Sequence, residues 1–118
     1  MPIQNAIAGL AVRDLKLSAR WYERLLGRAP DSRPMPNLAE WQFDRGGWLQ
    51  IYQLPDRAGK GSVTLSVSDL EEQIGYLYRC GIEAGQPMQT GKVKAVMIKD
   101  PDGNSIAFTE ATDPNIAQ

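Results

Sequence analysis

Gly9-Leu10-Ala11-Val12-Arg13-Asp14-Leu15 and Thr64-Leu65-Ser66-Val67-Ser68-Asp69-Leu70 are two versions of one pattern, displaced along the chain by the step from Val12 to Val67. In each, apolar residues alternate with small or polar ones as in a half-buried strand, and the strand runs into an Asp-Leu pair. An aspartate there can cap a helix, because its carboxylate accepts from the free amides of the first turn. Glu72, three residues after Asp69, completes the spacing of a capping box. Each copy therefore predicts a strand followed directly by a helix.

Outward from that pattern, the first helix should place Leu15, Ala19, Tyr22, Leu25 and Leu26 on its inner face and stop at Gly27. The second should place Leu70, Ile74, Leu77 and Tyr78 inward and stop at Gly81. Later, Gly46-Gly47-Trp48-Leu49-Gln50-Ile51 aligns with Gly103-Asn104-Ser105-Ile106-Ala107-Phe108 as the return strand of a hairpin in each copy. Asp100-Pro101-Asp102-Gly103-Asn104 joins the strands Val93–Lys99 and Ser105–Thr109, with Pro and Gly placed for a tight turn. The fold class expected is α+β: two tandem βαβββ modules forming a curved, cup-like mixed sheet with the helices outside. The whole chain, residues 1–118, reads as one domain, with module one at about 3–54, a linker at 55–61, module two at about 62–110 and a tail at 111–118. Residues 27–38, with Pro30, Pro34 and Pro36, read as an irregular loop that borders or covers a site.

The 118 residues carry 13 basic and 14 acidic side chains, so no broad field exists to hold nucleic acid. No apolar run is long enough to span a bilayer, and the first residues lack the pattern of a signal peptide, so a cytoplasmic location without a membrane partner is expected. Cys80 is the single cysteine and histidine is absent, which excludes an intrachain disulfide and removes the commonest acid/base group and imidazole ligand. Cys80 falls in the last turn of the second helix, where the dipole disfavours a thiolate, and reads as a buried structural thiol.

The combination of Val-x-Asp-Leu, a helix with Trp21-Tyr22 and Leu25-Leu26-Gly27, and a late Asp-Pro-Asp-Gly-Asn turn resembles the vicinal oxygen chelate superfamily across nearly the whole chain. That group includes glyoxalase I, extradiol dioxygenases, fosfomycin-resistance enzymes and bleomycin-resistance proteins. The resemblance implies metal ligands on cup-facing positions of the opening and return strands. Five residues before Val12 and Val67 stand Ile7 and Ser62; one residue after Leu49 and Ile106 stand Gln50 and Ala107. None is an imidazole or a carboxylate, so no metal and no other cofactor is expected. Glu110 alternates with Ile106 and Phe108, away from the cup, unless the register slips by one residue.

The same alternation lines the cup with small, polar and aromatic residues. Expected contacts to a ligand are Ile7, Arg13, Trp48, Gln50, Tyr52, Ser62, Thr64 and Ala107, with Arg13 placed for an anionic group. Trp41 and Phe43 fit either the pocket or the core. The expected function is metal-independent binding of an aromatic or amide-bearing small molecule by a homodimer of the bleomycin-resistance type, rather than an enzyme. The alternative is a glyoxalase- or dioxygenase-like enzyme with displaced metal ligands.

Overall fold

The structure is a computed structural model that describes residues 2–111. Residue 1 and the tail from residue 112 on lie outside the described residues. Two compact units divide the chain: the residues up to Gly61 together with Asp100–Asn104, and Ser62–Lys99 with the strand that starts at Ser105.

The first unit runs β1 (Ile7–Val12), α1 (Leu15–Leu26), β2 (Ser32–Met35), β3 (Leu38–Gln42), β4 (Trp48–Gln53) and a 3-10 turn at Pro55–Arg57. The second runs β5 (Ser62–Ser66), α2 (Leu70–Arg79), β6 (Met88–Gln89), β7 (Val93–Lys99) and β8 (Ser105–Ala111). Strand order is β1-β4-β3-β2 in the first sheet and β5-β8-β7-β6 in the second. In both, the opening strand lies parallel to the return strand, and the other pairings are antiparallel. A parallel pair needs a long crossover, which α1 and α2 begin. The α+β, two-module architecture is as the repeat predicts.

Both helices start as their Asp-Leu pairs dictate. Asp14 accepts from Leu17 N at 3.3 Å, and Asp69 accepts from Glu72 N at 3.1 Å. Gly27 ends α1 at φ 77°, a conformation that glycine adopts without steric cost. Cys80 caps α2 ahead of Gly81 and is half-buried rather than buried as expected, because the last turn of α2 lies at the end of its inner stripe. Tyr78 departs from the expected inner face and is 85 % exposed. At about 100° per residue, a stripe through Leu70, Ile74 and Leu77 leaves position 78 at its margin. The Pro-rich segment also departs from expectation, because Ser32–Met35 pairs with β3 as an edge strand; proline is tolerated there, where no ladder bond is needed.

Leu10, Val12, Trp41, Leu49 and Ile51 form the buried face of the first sheet, beneath Leu15, Ala19, Tyr22 and Leu25 of α1. Ile106, Phe108, Val96 and Ile98 do the same in the second sheet, with Leu70 and Leu77 of α2. Each such side chain contributes roughly 1.5–3 kcal/mol on burial. Trp41 belongs to this core: it is fully buried, its Nε1 donates to Arg28 O at 3.0 Å, and its ring is 6.2 Å from that of Tyr22. Phe43 leaves β3 and is half-buried in the turn before β4, where its N–H donates to Gly47 O.

The Asp100–Asn104 turn forms a buried polar centre in the first unit. Asp100 accepts from Tyr22 Oη at 2.8 Å, from the backbone N–H groups of Asp102 and Asn104 at 2.9 Å each, and from Asn104 Nδ2 at 2.8 Å. Asn104 in turn donates to Ala11 O at 2.8 Å and accepts from Gly61 N at 2.9 Å. Burial, reinforced by the Asp100 charge, pushes the Tyr22 phenol far above its ordinary value of 10.0. A raised folded-state pKa means that this contribution is complete below pH 10 and fades as the pH climbs above it. Tyr22→Phe is therefore expected to cost about 2 kcal/mol at neutral pH. In urea melts the gap between the two proteins should narrow above pH 10, and a gap independent of pH would contradict this account of Tyr22.

Candidate functional site

Strand alternation gives each sheet a second face turned away from its helix. On the first sheet this open face carries Ile7, Gly9 and Ala11 of β1 in register with Trp48, Gln50 and Tyr52 of β4. Gln42, Glu40 and Leu38 of β3 then pair across from Trp48, Gln50 and Tyr52, and at the Tyr52 end Ala11 and Leu38 are themselves buried. Four of the expected contacts, Ile7, Trp48, Gln50 and Tyr52, thus share one surface. Arg13 follows the end of β1 and is exposed, with its backbone N–H donating to Asp102 Oδ2 at 3.1 Å. Ser62, Thr64 and Ala107 stand in the second unit, on the corresponding face of its sheet, beside Ser105, Thr109 and the half-exposed Met97.

Glu40 is a residue the sequence reading missed. Its Oε2 accepts from Gln50 Nε2 at 2.6 Å, placing a half-buried carboxylate in the middle of the open face. The signal was available: counting outward from the Phe43–Gly47 turn puts Gln42, Glu40 and Leu38 opposite Trp48, Gln50 and Tyr52. Because a carboxylate only accepts, Gln50 must turn its amide N–H toward Glu40, which leaves Gln50 Oε1 available to a donor.

Near the Tyr52 end, a groove of about 510 Å³ is lined by Gly9, Ala11, Tyr52, Asp56, Arg57, Lys60 and Gly61. A side chain at Gly9 would press on the Tyr52 ring, with a Cβ 3.2 Å from Cε1, so glycine is what lets the ring lie beside β1. The other wall is the linker. Its path is fixed by Leu54 N to Val12 O at 3.0 Å, Arg57 N to Leu54 O at 3.0 Å and Gly61 N to Asn104 Oδ1 at 2.9 Å. Gly59 runs so close to the carbonyl oxygen of Asp102, with φ 82°, that no side chain fits there. Read as a connection only, residues 55–61 concealed three charged side chains of the groove.

The positions that the family resemblance implies for metal ligands hold no strong donor set. Ile7 and Ala107 offer hydrocarbon, Ser62 a neutral hydroxyl, and Gln50 an amide already engaged with Glu40. No three His, Cys, Asp or Glu side chains gather as a metal site among the described residues. Glu110 anchors a helix instead, since its Oε1 accepts from Leu70 N at 2.7 Å at the start of α2 and its Oε2 lies 4.0 Å from Lys94 Nζ. The first module contains the same device, with Gln53 Oε1 accepting from Leu15 N at 2.9 Å at the start of α1. Gln53 and Glu110 are related by the same step that carries Gly46 onto Gly103 in the return strands, so the repeat itself identifies Glu110 as a helix anchor.

Comparison with solved structures gives high similarity over nearly the full length. A glyoxalase/bleomycin resistance protein from Catenulispora acidiphila is 37 % identical, covers 90 % of this chain and 96 % of its own, and superposes with a TM-score of 0.81. A bleomycin resistance determinant encoded on the transposon Tn5 is 22 % identical, with 94 % and 100 % coverage and a TM-score of 0.79. A bleomycin-binding protein complexed with bleomycin is 23 % identical, with 92 % and 98 % coverage and a TM-score of 0.76. No family model and no curated protein matches the chain.

The anchoring role of Glu110 has a measurable consequence. Glu110→Ala should destabilise the protein by about 1–2 kcal/mol through the orphaned helix amide. Glu110→Gln should recover most of that loss, because Gln53 fills the equivalent place as an amide. Equal loss in both variants, measured by chemical denaturation, would show that the charge and not the hydrogen bond is what matters.

Proposed function

Because the chain belongs to the glyoxalase/bleomycin resistance protein family, we propose that it binds a small molecule without a metal, on the open face of its first sheet. The observation that carries this reading is the run Trp48, Gln50, Tyr52. Two half-buried aromatic side chains flank an amide on a strand whose neighbour, β1, presents only Ile7, Gly9 and Ala11 there. Flat apolar area with one oriented polar group is how small-molecule sites are commonly built.

With Gln50 Nε2 held by Glu40, the free carbonyl oxygen favours a ligand that donates an N–H. An aromatic or amide-bearing compound satisfies both requirements. Arg13 is proposed as a further contact at the end of β1, and Ser62, Thr64 and Ala107 as a separate set on the second sheet. The likeness to a bleomycin-binding protein supports binding, rather than turnover, as the mode of action. The four positions without strong donors support the absence of a metal, and we propose no other cofactor. Half-exposed Ile7, Met88 and Met97 on the sheet faces offer apolar area for a second copy, supporting a homodimer. No helix among the described residues is long and apolar enough to cross a membrane, and we place the protein in the cytoplasm.

Titration calorimetry with a panel of aromatic amides and amide-bearing antibiotics should yield a binder. Trp48→Ala should weaken it at least tenfold, the value of about 1.4 kcal/mol of lost ring contact. Prior treatment with a chelator should leave the affinity unchanged. A panel with no binder that depends on Trp48 would refute the reading, and stoichiometric, tightly held zinc, iron, nickel or manganese would refute its metal independence.

A further inference from the structure

We propose that the groove between the linker and the first sheet takes an anionic group of the ligand, a carboxylate or a phosphate ester on an aromatic scaffold. Arg57 and Lys60 would be its recognising cations and Tyr52 its ring platform. The inference rests on the ligand-binding reading above and adds the charge of the ligand and the end of the sheet where that charge sits.

Four observations lead there. The groove is concave and, at about 510 Å³, falls within the range of small-molecule sites. Its wall carries two cations and one anion, a net positive lining in a protein whose overall charge is −1. Among the described residues no carboxylate lies within 4.0 Å of Arg57 or Lys60; Lys60 Nζ reaches only Asp56 O, at 3.5 Å. The linker that carries them is tied at Leu54, Arg57 and Gly61, so ligand binding need not order the backbone of that wall.

The chemistry of the three side chains is complementary. Arg57 offers a planar fork that suits two oxygens of a carboxylate or phosphate, and Lys60 a point charge. Tyr52, whose ring edge lies against Gly9 and lines the groove, is the aromatic partner for a ligand ring. Asp56 on the same wall opposes a dianion more than a monoanion, and so acts on which anion is preferred.

Isotope-labelled full-length protein would be titrated with benzoate, phenyl phosphate, inorganic phosphate, benzamide and benzylamine, with amide chemical shifts as the readout. Benzoate or phenyl phosphate should move the Gly9, Tyr52, Arg57 and Gly61 signals saturably, and the stronger of the two tells carboxylate from phosphate. The double variant Arg57→Ala/Lys60→Ala should weaken that binding about tenfold, and Asp56→Asn should strengthen it about threefold. These side chains are exposed, and an unchanged amide spectrum elsewhere establishes that the variants are folded. The proposal is overturned if neither aromatic anion binds, if benzylamine binds as well as benzoate, or if the double variant binds like the wild type. Inorganic phosphate moving Arg57 and Lys60 while no aromatic anion moves Tyr52 would mean an adventitious ion only, and also overturns it. Benzamide binding lost in Trp48→Ala, without any effect of the anions, would overturn this inference and leave the ligand-binding reading standing.

Discussion

A carboxylate taken out of water costs several kcal/mol unless hydrogen bonds replace its hydration, and Asp100, only 5 % exposed, meets that condition with four donors. The requirement constrains everything nearby. Tyr22 must present its hydroxyl from α1, the turn must close so that two backbone amides point inward, and Asn104 must supply its side-chain amide. Asn104, fully buried itself, passes the constraint on to Ala11 of β1 and to Gly61 of the linker. Ala11 and Gly61 also line the groove. A buried polar centre with no direct part in recognition thus sets where the walls of the groove stand.

The duplication shows which parts of the unit are structural. Both copies start a helix with an aspartate cap and a side chain from the return strand, Gln53 in one and Glu110 in the other. A helix start leaves several amides without partners, and both modules solve that problem in the same place. The open faces carry no such shared requirement, and there the copies differ: Trp48, Gln50 and Tyr52 stand where the second copy has Ser105, Ala107 and Thr109. Aromatic area is concentrated on one sheet.

Periodicity made most of this architecture legible in the sequence. Alternation assigned the buried faces of β4 and β8, because a strand one residue out of register would have put Leu49, Ile51, Ile106 and Phe108 in water. The short edge strand β2 was concealed by Pro34 within it and by Pro30 and Pro36 on either side, which signal irregular chain in general and here mark a pairing that needs few hydrogen bonds. Tyr78 was misplaced because helical spacing locates a stripe but not its width. Trp41 stayed ambiguous because either face accepts a tryptophan; the carbonyl of Arg28, which satisfies its N–H inside the core, is set by a loop with no periodicity. Glu40 was readable from hairpin register, whereas Asp56, Arg57 and Lys60 lie on a segment whose path depends on contacts with the Asp100–Asn104 turn, far along the chain.

On the proposed metal-independent reading, the sheet would recognise a ligand through shape, ring contact and the groups brought in from outside the repeat. The energetic division follows from exposure. Two solvated cations contribute up to about 1 kcal/mol each to holding an anion, and salt screens them. An aromatic scaffold laid against Tyr52 and Trp48 loses apolar surface to the protein at roughly 25 cal/mol per Å², which is the larger and less screened contribution. On the proposed reading, affinity would reside in the rings and the charges on the linker would decide orientation, with the anionic end toward Arg57 and Lys60 and the N–H donor toward Gln50. Positive charge on the linker and the Glu40 carboxylate at mid-sheet would disfavour a ligand bound the wrong way round, because reversal would set an anion beside Glu40 and leave Gln50 Oε1 without a donor.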